Sequence, residues 1–314
     1  MRAVKVERLG GPEGLVPGEV PARVPQAGQV VVAVEAAGVG LVDAFQRRGL
    51  FPGFDQPGFV PGAEVAGKVT RVGSEDAREW LGKHVFALVR TGGYAEEVVA
   101  EPAQLIPIPP GLSSVEAIAL GINALVAQFS LLRAGLRAGE RVLVRGAGGG
   151  IGMSVVQLAV SQGARVTAIT TEARASSLAG LGIESVVDRQ AASGLPGGFD
   201  VIVDPVAGPQ LATFLQKLRP NGRYVLNGVA AGFPAPDFGT GFLTGFAHSP
   251  TLSLLSLDSI DPAEQSAVGQ SLFELAVTRR LVPRVGKTFP LEQAAQAHAV
   301  LEEGQVTGKI VLLV

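Results

Sequence analysis

A glycine-rich segment that follows an apolar run carries the clearest chemical signal in the sequence. It reads Arg145-Gly-Ala-Gly-Gly-Gly-Ile-Gly152 and opens an apolar, helix-like stretch. Small residues let a backbone turn tightly and approach a pyrophosphate, while a helix N-terminus offers unpaired N–H groups and a positive dipole end. We therefore predict a dinucleotide-binding loop; the alternative is a glycine turn without ligand. The predicted binding residues are Ala147, Gly148, Gly149, Gly150, Ile151 and Gly152.

The residues about twenty positions after this loop bear on the choice of cofactor. A strand that binds NAD usually ends in Asp or Glu, which holds the ribose 2′-hydroxyl. Here the corresponding strand ends at Thr170 and Thr171, and Arg174 follows shortly after. Hydroxyls with an arginine suit a 2′-phosphate, so we predict NADPH. Two alternatives stay open, namely that Arg174 is merely solvated and that Glu172 serves as an NAD-type acid. Asn227 and Gly228 are also predicted to bind the cofactor.

These residues need parallel strands and helices to position them. Short apolar runs recur from Arg141 onward, and between the first two lies Met153 to Gln162, whose apolar residues are spaced for one helical face. This alternation predicts a doubly wound parallel sheet. The predicted strands are Val142 to Val144, Val166 to Ile169, Ser185 to Val187, Val201 to Val203 and Tyr224 to Leu226, with a late apolar strand near Thr251 to Leu257.

The rest of the chain has a different pattern. The first ~110 residues contain β-rich runs punctuated by Pro-Gly pairs, which predicts a small β-barrel. The tail contains helical segments at Pro262 to Leu281 and Leu291 to Glu303, and a strand at Lys309 to Val314. We expect the tail to return to the first domain. The predicted divisions are 1–117, 118–255 and 256–314.

The amino-acid composition argues against several classes of function. Hydrophobic residues make up 47% and charged residues 17%, which is typical of a chain that forms a core. The net charge of −2 gives no reason to expect nucleic acid as a partner, and the polar interruptions within residues 115–132 argue against a membrane span. Because the chain has no cysteine, thiolate metal sites and disulfides are excluded, which fits a cytoplasmic protein.

Several short segments, in order, give the sequence a resemblance to the medium-chain dehydrogenase/reductase superfamily, specifically its zinc-free quinone oxidoreductase (zeta-crystallin-like) branch. The resemblance covers nearly the whole chain. It implies a GroES-like β-barrel catalytic domain joined to a Rossmann domain. The segments are Gly38 to Asp43, Pro61-Gly62-Ala63-Glu64, Gly92 to Glu96, Pro107 to Pro110, Gly121-Ile122-Asn123-Ala124, Ala147 to Gly152, Pro220 to Arg223 and Gly308 to Val311.

The resemblance also indicates which positions would have to supply zinc ligands. Zinc alcohol dehydrogenases of this superfamily have Cys where Gly40 stands and His where Ala63 stands. Neither residue present here binds metal, so the resemblance implies no zinc. Hydride chemistry would then come from NADPH alone, with the protein positioning an electrophilic carbon and excluding water.

The expected substrate pocket departs from the branch pattern. Gly40 replaces the usual Asn, Asn123 replaces the usual Thr, and Phe45 stands where many members have Tyr. We expect a pocket that includes Gly40, Asp43, Phe45, Phe51 and Asn123, with Leu50 on its apolar wall, although ordinary core roles are the alternative. No catalytic side chain is identified. Asp43 is expected to anchor the site by hydrogen bonds, and structural roles are expected for Glu64 and the three histidines.

Three functions therefore stay open. The first is an NADPH:quinone oxidoreductase that transfers hydride to a quinone or another activated acceptor. The second is an enoyl or alkenal double-bond reductase in biosynthesis or detoxification. The third is a non-catalytic NADPH-binding sensor or structural protein. A homodimer is expected, because relatives in this branch usually pair their late edge strands.

Overall fold

The computed structural model describes residues 1–314 and divides them into two units. The first unit contains Met1–Ile122 and Asp261–Val314, and the second contains Asn123–Ile260. Both divisions fall a few residues later than the sequence-based ones. The first lies inside helix α2 (Ser114–Ala134), beside Gly121, whose φ of 23° and ψ of −125° interrupt the helix. A glycine tolerates this conformation because it has no Cβ.

The first unit is built from short strands. A sheet with the order β14-β15-β3-β4-β5-β7 forms its body, β6 pairs with β3, and β1 and β2 form a separate antiparallel pair. The C-terminal strand β15 runs antiparallel to β3. The strands are β1 (Arg2–Val6), β2 (Leu15–Glu19), β3 (Val30–Val39), β4 (Glu64–Val72), β5 (His84–Leu88), β6 (Glu97–Ala100), β7 (Leu105–Pro107), β14 (Val285–Pro290) and β15 (Lys309–Leu313).

The second unit contains a six-stranded sheet whose strands are all parallel. Its order is β10-β9-β8-β11-β12-β13, which confirms the predicted doubly wound sheet. The strands are β8 (Arg141–Val144), β9 (Arg165–Thr170), β10 (Ser185–Asp188), β11 (Phe199–Asp204), β12 (Leu218–Leu226) and β13 (Thr251–Leu254). Every residue of β11 is buried, as expected for a central parallel strand covered on both faces.

Helices complete both units. Besides α2, they are α1 (Leu41–Arg47), α3 (Gly150–Ser161), α4 (Glu172–Ala175), α5 (Leu211–Leu215), α6 (Thr240–Thr244), α7 (Pro262–Val277) and α8 (Ala294–Glu303). Helix α2 is the one helix long and apolar enough to cross a membrane, but 72% of its apolar window is buried inside the protein, which is typical of a core helix.

Two predicted elements end earlier in the structure than in the sequence analysis. Strand β13 stops at Leu254 instead of Leu257, because Ser256 caps a short turn by accepting a hydrogen bond from the Asp258 amide. Helix α7 stops at Val277 instead of Leu281, because Arg279 adopts a left-handed φ of 58°. In both cases local backbone conformation or hydrogen bonding ends an element that apolar composition alone would extend.

Candidate functional site

The glycine loop lies at the carboxyl end of β8, the edge of a parallel sheet where ligands usually bind. The Ala147 amide donates to the Ile169 carbonyl over 2.9 Å, which fastens the loop to the end of β9. Helix α3 then begins at Gly150, with Gly149 as its N-cap residue. Gly149 has no side chain that could cap the helix, so the first amides of α3 are available to an anion.

Close packing explains why this loop consists of small residues. A Cβ on Gly152 would overlap the Gly146 carbonyl oxygen and lie 2.8 Å from Ala147 Cα. A Cβ on Gly148 would lie 2.6 Å from Thr170 Oγ1 and 2.7 Å from Arg174 Cδ. The loop therefore touches its own backbone on one side and the predicted 2′-phosphate residues on the other. The remaining predicted residue of the loop, Ile151, lies in the first turn of α3.

The end of β9 forms a second rim of the site. Thr170 is buried, Thr171 directly precedes the short helix α4 without a capping side-chain hydrogen bond, and Arg174 lies within that helix. The Glu172 side chain is exposed, while its amide donates to Asp188 Oδ2 over 3.0 Å. Thr170 and Arg174, predicted from sequence to serve one ligand, are therefore brought together beside Gly148.

Arg189 is a further residue of this rim that the sequence analysis missed. Its amide donates to the Thr170 carbonyl over 2.8 Å. Burial, and then the like charge of Arg189, lower the pKa of Arg174, so the two guanidinium groups lie close enough to repel each other. An anion bound between them would relieve that repulsion. The signal in the sequence was an arginine directly after β10, one strand removed from the glycine loop.

The loop after β12 forms a third rim. The Asn227 amide donates to the Asp204 carbonyl over 3.0 Å, and its side-chain Nδ2 donates to Ser130 Oγ over 2.8 Å. The other side-chain atom, Oδ1, is buried without a hydrogen-bond partner. A bound ligand with a donor group would satisfy it. Gly228 is packed so tightly that a Cβ would lie 2.6 Å from the Pro205 carbonyl oxygen. The glycine loop, the end of β9 and the loop after β12 together offer groups that a dinucleotide could contact.

The predicted substrate residues do not form one cluster within a unit. In the first unit, Gly40 precedes α1, Asp43 and Phe45 lie within α1, and Phe51 lies in the following turn. Phe51 and Phe54 have ring centroids 5.9 Å apart. Asn123 belongs to the second unit, where its side chain lies where a Cβ on Gly150 would be. Asn123 thus packs against the first residue of α3.

Asp43 is fully inside the first unit and holds the backbone around Gly40. Its carboxylate accepts hydrogen bonds from the Gly40 amide over 2.8 Å and from the Ala63 amide over 3.0 Å. Burial raises the pKa of Asp43 from 3.8 to about 6, although the nearby Lys309 ammonium opposes that rise. These contacts fit the predicted anchoring role.

Further ionisable groups are buried around Asp43. Glu64 forms an ion pair with Lys309 and accepts from the Ile122 amide over 2.9 Å. The Tyr94 hydroxyl lies 3.0 Å from His298 Nε2. Burial lowers the pKa of His298 to about 3, and the positive charges of Arg47 and Arg48 add to this effect, so His298 is neutral near pH 7. Burial and the Asp43 charge raise the pKa of Tyr94 well above its usual value, which keeps its hydroxyl protonated.

No group of three or more His, Cys, Asp or Glu side chains is arranged to hold a metal ion. At the positions where the resemblance would require metal ligands, Gly40 has no side chain and Ala63 has a buried methyl group. Behind Gly40, the Lys309 ammonium lies 3.6 Å from where a Cβ would be, and an ammonium there would repel a cation.

Comparisons with known proteins agree with this geometry. The profile of the alcohol dehydrogenase GroES-like domain matches residues 26–110, and that of a zinc-binding dehydrogenase domain matches residues 181–312. The mouse quinone oxidoreductase is 33% identical over 331 residues, which cover 100% of this chain and 98% of the relative. A mycobacterial structure complexed with NADPH is 28% identical, covers 100% of both chains and has a TM-score of 0.91.

A second kind of relative is much longer than this chain. A phenolphthiocerol/phthiocerol polyketide synthase polypeptide of Mycobacterium tuberculosis is 31% identical over 322 residues. The match covers 98% of this chain but only 14% of that polypeptide. The same two-unit fold therefore also occurs as one segment of a large multidomain protein.

Proposed function

Because this chain belongs to the medium-chain dehydrogenase/reductase superfamily, in its quinone oxidoreductase-like branch, we propose that it is an NADPH-dependent oxidoreductase that reduces a quinone or another activated acceptor without zinc. The observation that carries the proposal is the three-rimmed cradle at the carboxyl ends of β8, β9 and β12, with two arginines beside Thr170. The NADPH complex of a mycobacterial relative supports the cofactor, and the mouse relative supports the acceptor class. A cytoplasmic location is part of the proposal.

The cradle residues have distinct roles in this proposal. The amides of Gly150, Ile151 and Gly152 at the start of α3 bind the pyrophosphate, where the helix dipole favours negative charge. Thr170, Thr171, Arg174 and Arg189 bind the 2′-phosphate. Asn227 Oδ1 accepts from a ligand donor. The cofactor, when bound, supplies the hydride, so the protein needs no acid of its own to start the reaction.

The first unit supplies a fixed backbone and apolar side chains. Asp43 fixes the backbone at Gly40 and Ala63, and the ring of Phe51 packs edge-on against the buried ring of Phe54. Negative charge that develops on an acceptor oxygen needs a hydrogen-bond donor, which we assign to backbone amides or water. Zinc is dispensable in this proposal because Gly40 and Ala63 cannot bind a metal and an ammonium lies behind Gly40.

A second acceptor class has support from one comparison. A polyketide synthase includes a segment 31% identical to this chain. The alternative acceptor is therefore an activated double bond, such as that of a 2-enoyl thioester or an alkenal. The chemistry of hydride delivery is the same in both cases, which is why the cofactor cradle alone does not separate them.

The decisive experiment follows the absorbance of NADPH and NADH in metal-free protein. The acceptors are a benzoquinone, a phenanthrenequinone, an alkenal and a 2-enoyl thioester. We expect NADPH consumption that needs no added zinc, and the best acceptor identifies the substrate class. Turnover that requires zinc, or that uses NADH as efficiently as NADPH, contradicts the proposal. NADPH binding without turnover on any acceptor would favour a sensor or structural role.

Two arginine substitutions test the cofactor assignment. Arg174→Ala and Arg189→Ala should each raise the KM for NADPH by about tenfold and leave the KM for NADH nearly unchanged, because only NADPH carries the 2′-phosphate. Arg165→Ala is the matched control, since Arg165 is an exposed arginine at the opposite end of β9. Equal losses for both cofactors would exclude these arginines as 2′-phosphate ligands.

A homodimer completes the proposal. Strand β13 forms one edge of the parallel sheet, and Leu254 at its end is 68% exposed. Phe233, Leu243 and Phe246 in the preceding segment are also exposed. An apolar sheet edge of this kind is usually covered by a partner. Light scattering should give the mass of a dimer for the wild type and of a monomer for Leu254→Arg; a monomeric wild type contradicts this part.

A further inference from the structure

A buried polar cluster lies directly behind the glycine loop. Arg145 directly precedes the glycines of the loop, and its side chain is buried in the second unit. Its Nη1 atom lies 2.5 Å from Asp204 Oδ2 and 3.1 Å from the Ala207 carbonyl oxygen. The Tyr224 hydroxyl donates to the same carboxylate oxygen of Asp204. We call Arg145, Asp204 and Tyr224 the strand-end triad, because they lie on or directly after β8, β11 and β12.

The other oxygen of Asp204 holds the loop that follows β11. Oδ1 accepts from the Val206 amide over 2.8 Å and from the Ala207 amide over 3.1 Å. Ala207 has a φ of 53°, in the left-handed region that a residue with a Cβ occupies at a cost. Hydrogen bonds to both its amide and its carbonyl therefore hold a strained residue in place.

This loop in turn contacts the glycine loop and the loop after β12. A Cβ on Gly146 would lie 2.8 Å from Val206 Cγ2, so the Val206 side chain packs closely against the backbone of the glycine loop. The Ala231 amide donates to the Val206 carbonyl over 2.8 Å, and the Gly208 amide donates to the Gly232 carbonyl over 3.0 Å. Three loops at one sheet edge are thus connected, and Asp204 accepts hydrogen bonds from the loop that contacts the other two.

We propose that the strand-end triad positions these three loops for the dinucleotide and so sets the affinity for the part of the cofactor that NADPH and NADH share. The inference rests on the cofactor cradle of the proposed function. The triad residues are positioning residues, since Arg145 and Asp204 are buried beneath the loops and act through backbone contacts.

The chemistry of the triad suits a fixed arrangement better than a flexible one. The Arg145 guanidinium also stacks on Phe214, with its central carbon 3.9 Å from the ring centroid. A planar guanidinium can contact the carboxylate, the Ala207 carbonyl and the ring at once, whereas a lysine ammonium is a single point charge. Burial and the Asp204 charge raise the pKa of Tyr224 well above its usual value, so its hydroxyl is a permanent donor.

Two mild substitutions test the inference. Tyr224→Phe removes one hydroxyl, and Arg145→Lys keeps the charge but loses the planar fork. The dissociation constants of NADPH and NADH are measured by nucleotide fluorescence, well below the melting temperature of each variant. Each substitution should raise both constants by about tenfold and leave their ratio and the kcat at saturating NADPH unchanged.

The matched control is an ion pair that does not involve the three loops. Glu140, which lies directly before β8 and so at the other end of that strand from Arg145, contacts Arg223, with Nη2 2.7 Å from Oε2 and Nη1 3.0 Å from Oε1. Glu140→Gln weakens that pair and should lower the melting temperature while leaving both constants within about twofold of the wild type. A merely structural triad would behave like this control, and that result would overturn the inference.

The same titration separates this inference from the proposed function. A wild-type protein that binds neither nucleotide refutes the cofactor cradle itself. A wild type that binds NADPH, together with Tyr224→Phe and Arg145→Lys variants that bind both nucleotides equally well, refutes only the positioning role. An altered NADPH-to-NADH ratio in these variants also refutes it, because the 2′-phosphate residues lie on a different rim.

Discussion

The two units bury ionisable groups in different ways. In the second unit the paired groups come from strands that are neighbours in one sheet, and Arg145 and Asp204 are separated by 59 positions. In the first unit the partners come from distant parts of the chain, since Tyr94 and His298 are separated by 204 positions. Lys309 from the last strand likewise pairs with Glu64 from β4. One network supports the loops proposed to bind the cofactor, whereas the other joins the sheet of the first unit to its own C-terminal segment.

We expect the two kinds of network to affect different properties of the protein. The groups at the sheet edge of the second unit act mainly through backbone amides, so their loss should change binding. The groups within the first unit neutralise one another, so their loss should change folding.

Lys309→Met should cause the largest loss of stability. It leaves the Glu64 carboxylate buried without its ion-pair partner, which costs about 3 to 5 kcal/mol. Urea denaturation measures the free energy of unfolding. The double variant Lys309→Met with Glu64→Gln should recover most of the loss, because no unpaired charge remains. A loss below about 1 kcal/mol for the single variant would contradict the role of this pair.

Opposite pH dependences should appear when Asp43 and His298 are changed separately. Asp43, whose folded pKa of about 6 is raised, contributes stability that is present below pH 4 and is lost as pH rises through about 6. His298, whose folded pKa of about 3 is lowered, contributes stability that is present above pH 6.5 and is lost as pH falls toward 3. Between pH 4 and 6 the two contributions oppose each other in the wild type.

Denaturation of the two variants from pH 4 to 6 checks this compensation. Relative to the wild type, the free energy of unfolding of Asp43→Asn should gain about 1.4 kcal/mol for each unit of rising pH. That of His298→Gln should lose about 1.4 kcal/mol for each unit. Slopes of the same sign in both variants would show that these groups are not buried as described. Arg47, Arg48, Tyr94, Glu64 and Lys309 are retained in both variants, so their contributions are shared.

Gly152→Ala, a substitution in the second unit, should weaken the binding of NADPH. The added methyl group would overlap the Gly146 carbonyl oxygen, a backbone atom that cannot rotate away as a side chain could. Such overpacking costs about 1 to 3 kcal/mol, so the dissociation constant of NADPH should rise roughly tenfold. Gly194→Ala is the control, because a Cβ there meets nothing within 4 Å. Equal NADPH affinity in both variants would argue against the glycine cradle.

Glu184→Gln should have the smallest effect. Glu184 pairs with Arg165 at the surface, where the side chains are 37% and 59% exposed. Solvent screening limits such pairs to under about 1 kcal/mol. Thermal and urea denaturation should therefore show almost no change in stability. A loss comparable with that of Lys309→Met would mean that exposure does not separate the two kinds of ion pair.

The sequence determined the parts of this protein that depend on neighbouring residues. The strand–glycine–helix order of residues 141–161 predicted the loop and its sheet, because phosphate binding and helix starts are set within a few positions. The absence of cysteine, together with Gly40 and Ala63, excluded the metal ligands that the superfamily uses elsewhere. The spacing of Thr170 and Arg174 from the glycines likewise predicts that they serve one ligand, and both lie beside Gly148.

The tertiary structure alone decided which distant residues meet. Arg189 joins Thr170 only because β10 pairs with β9, and the strand-end triad exists only because β8, β11 and β12 are neighbours in the sheet. The pairing of Glu64 with Lys309 depends on β15 lying beside β3, and Asn123 lies in a different unit from the other predicted pocket residues. Local motifs encode backbone conformation, whereas charge pairing depends on strand order, which residue spacing does not specify.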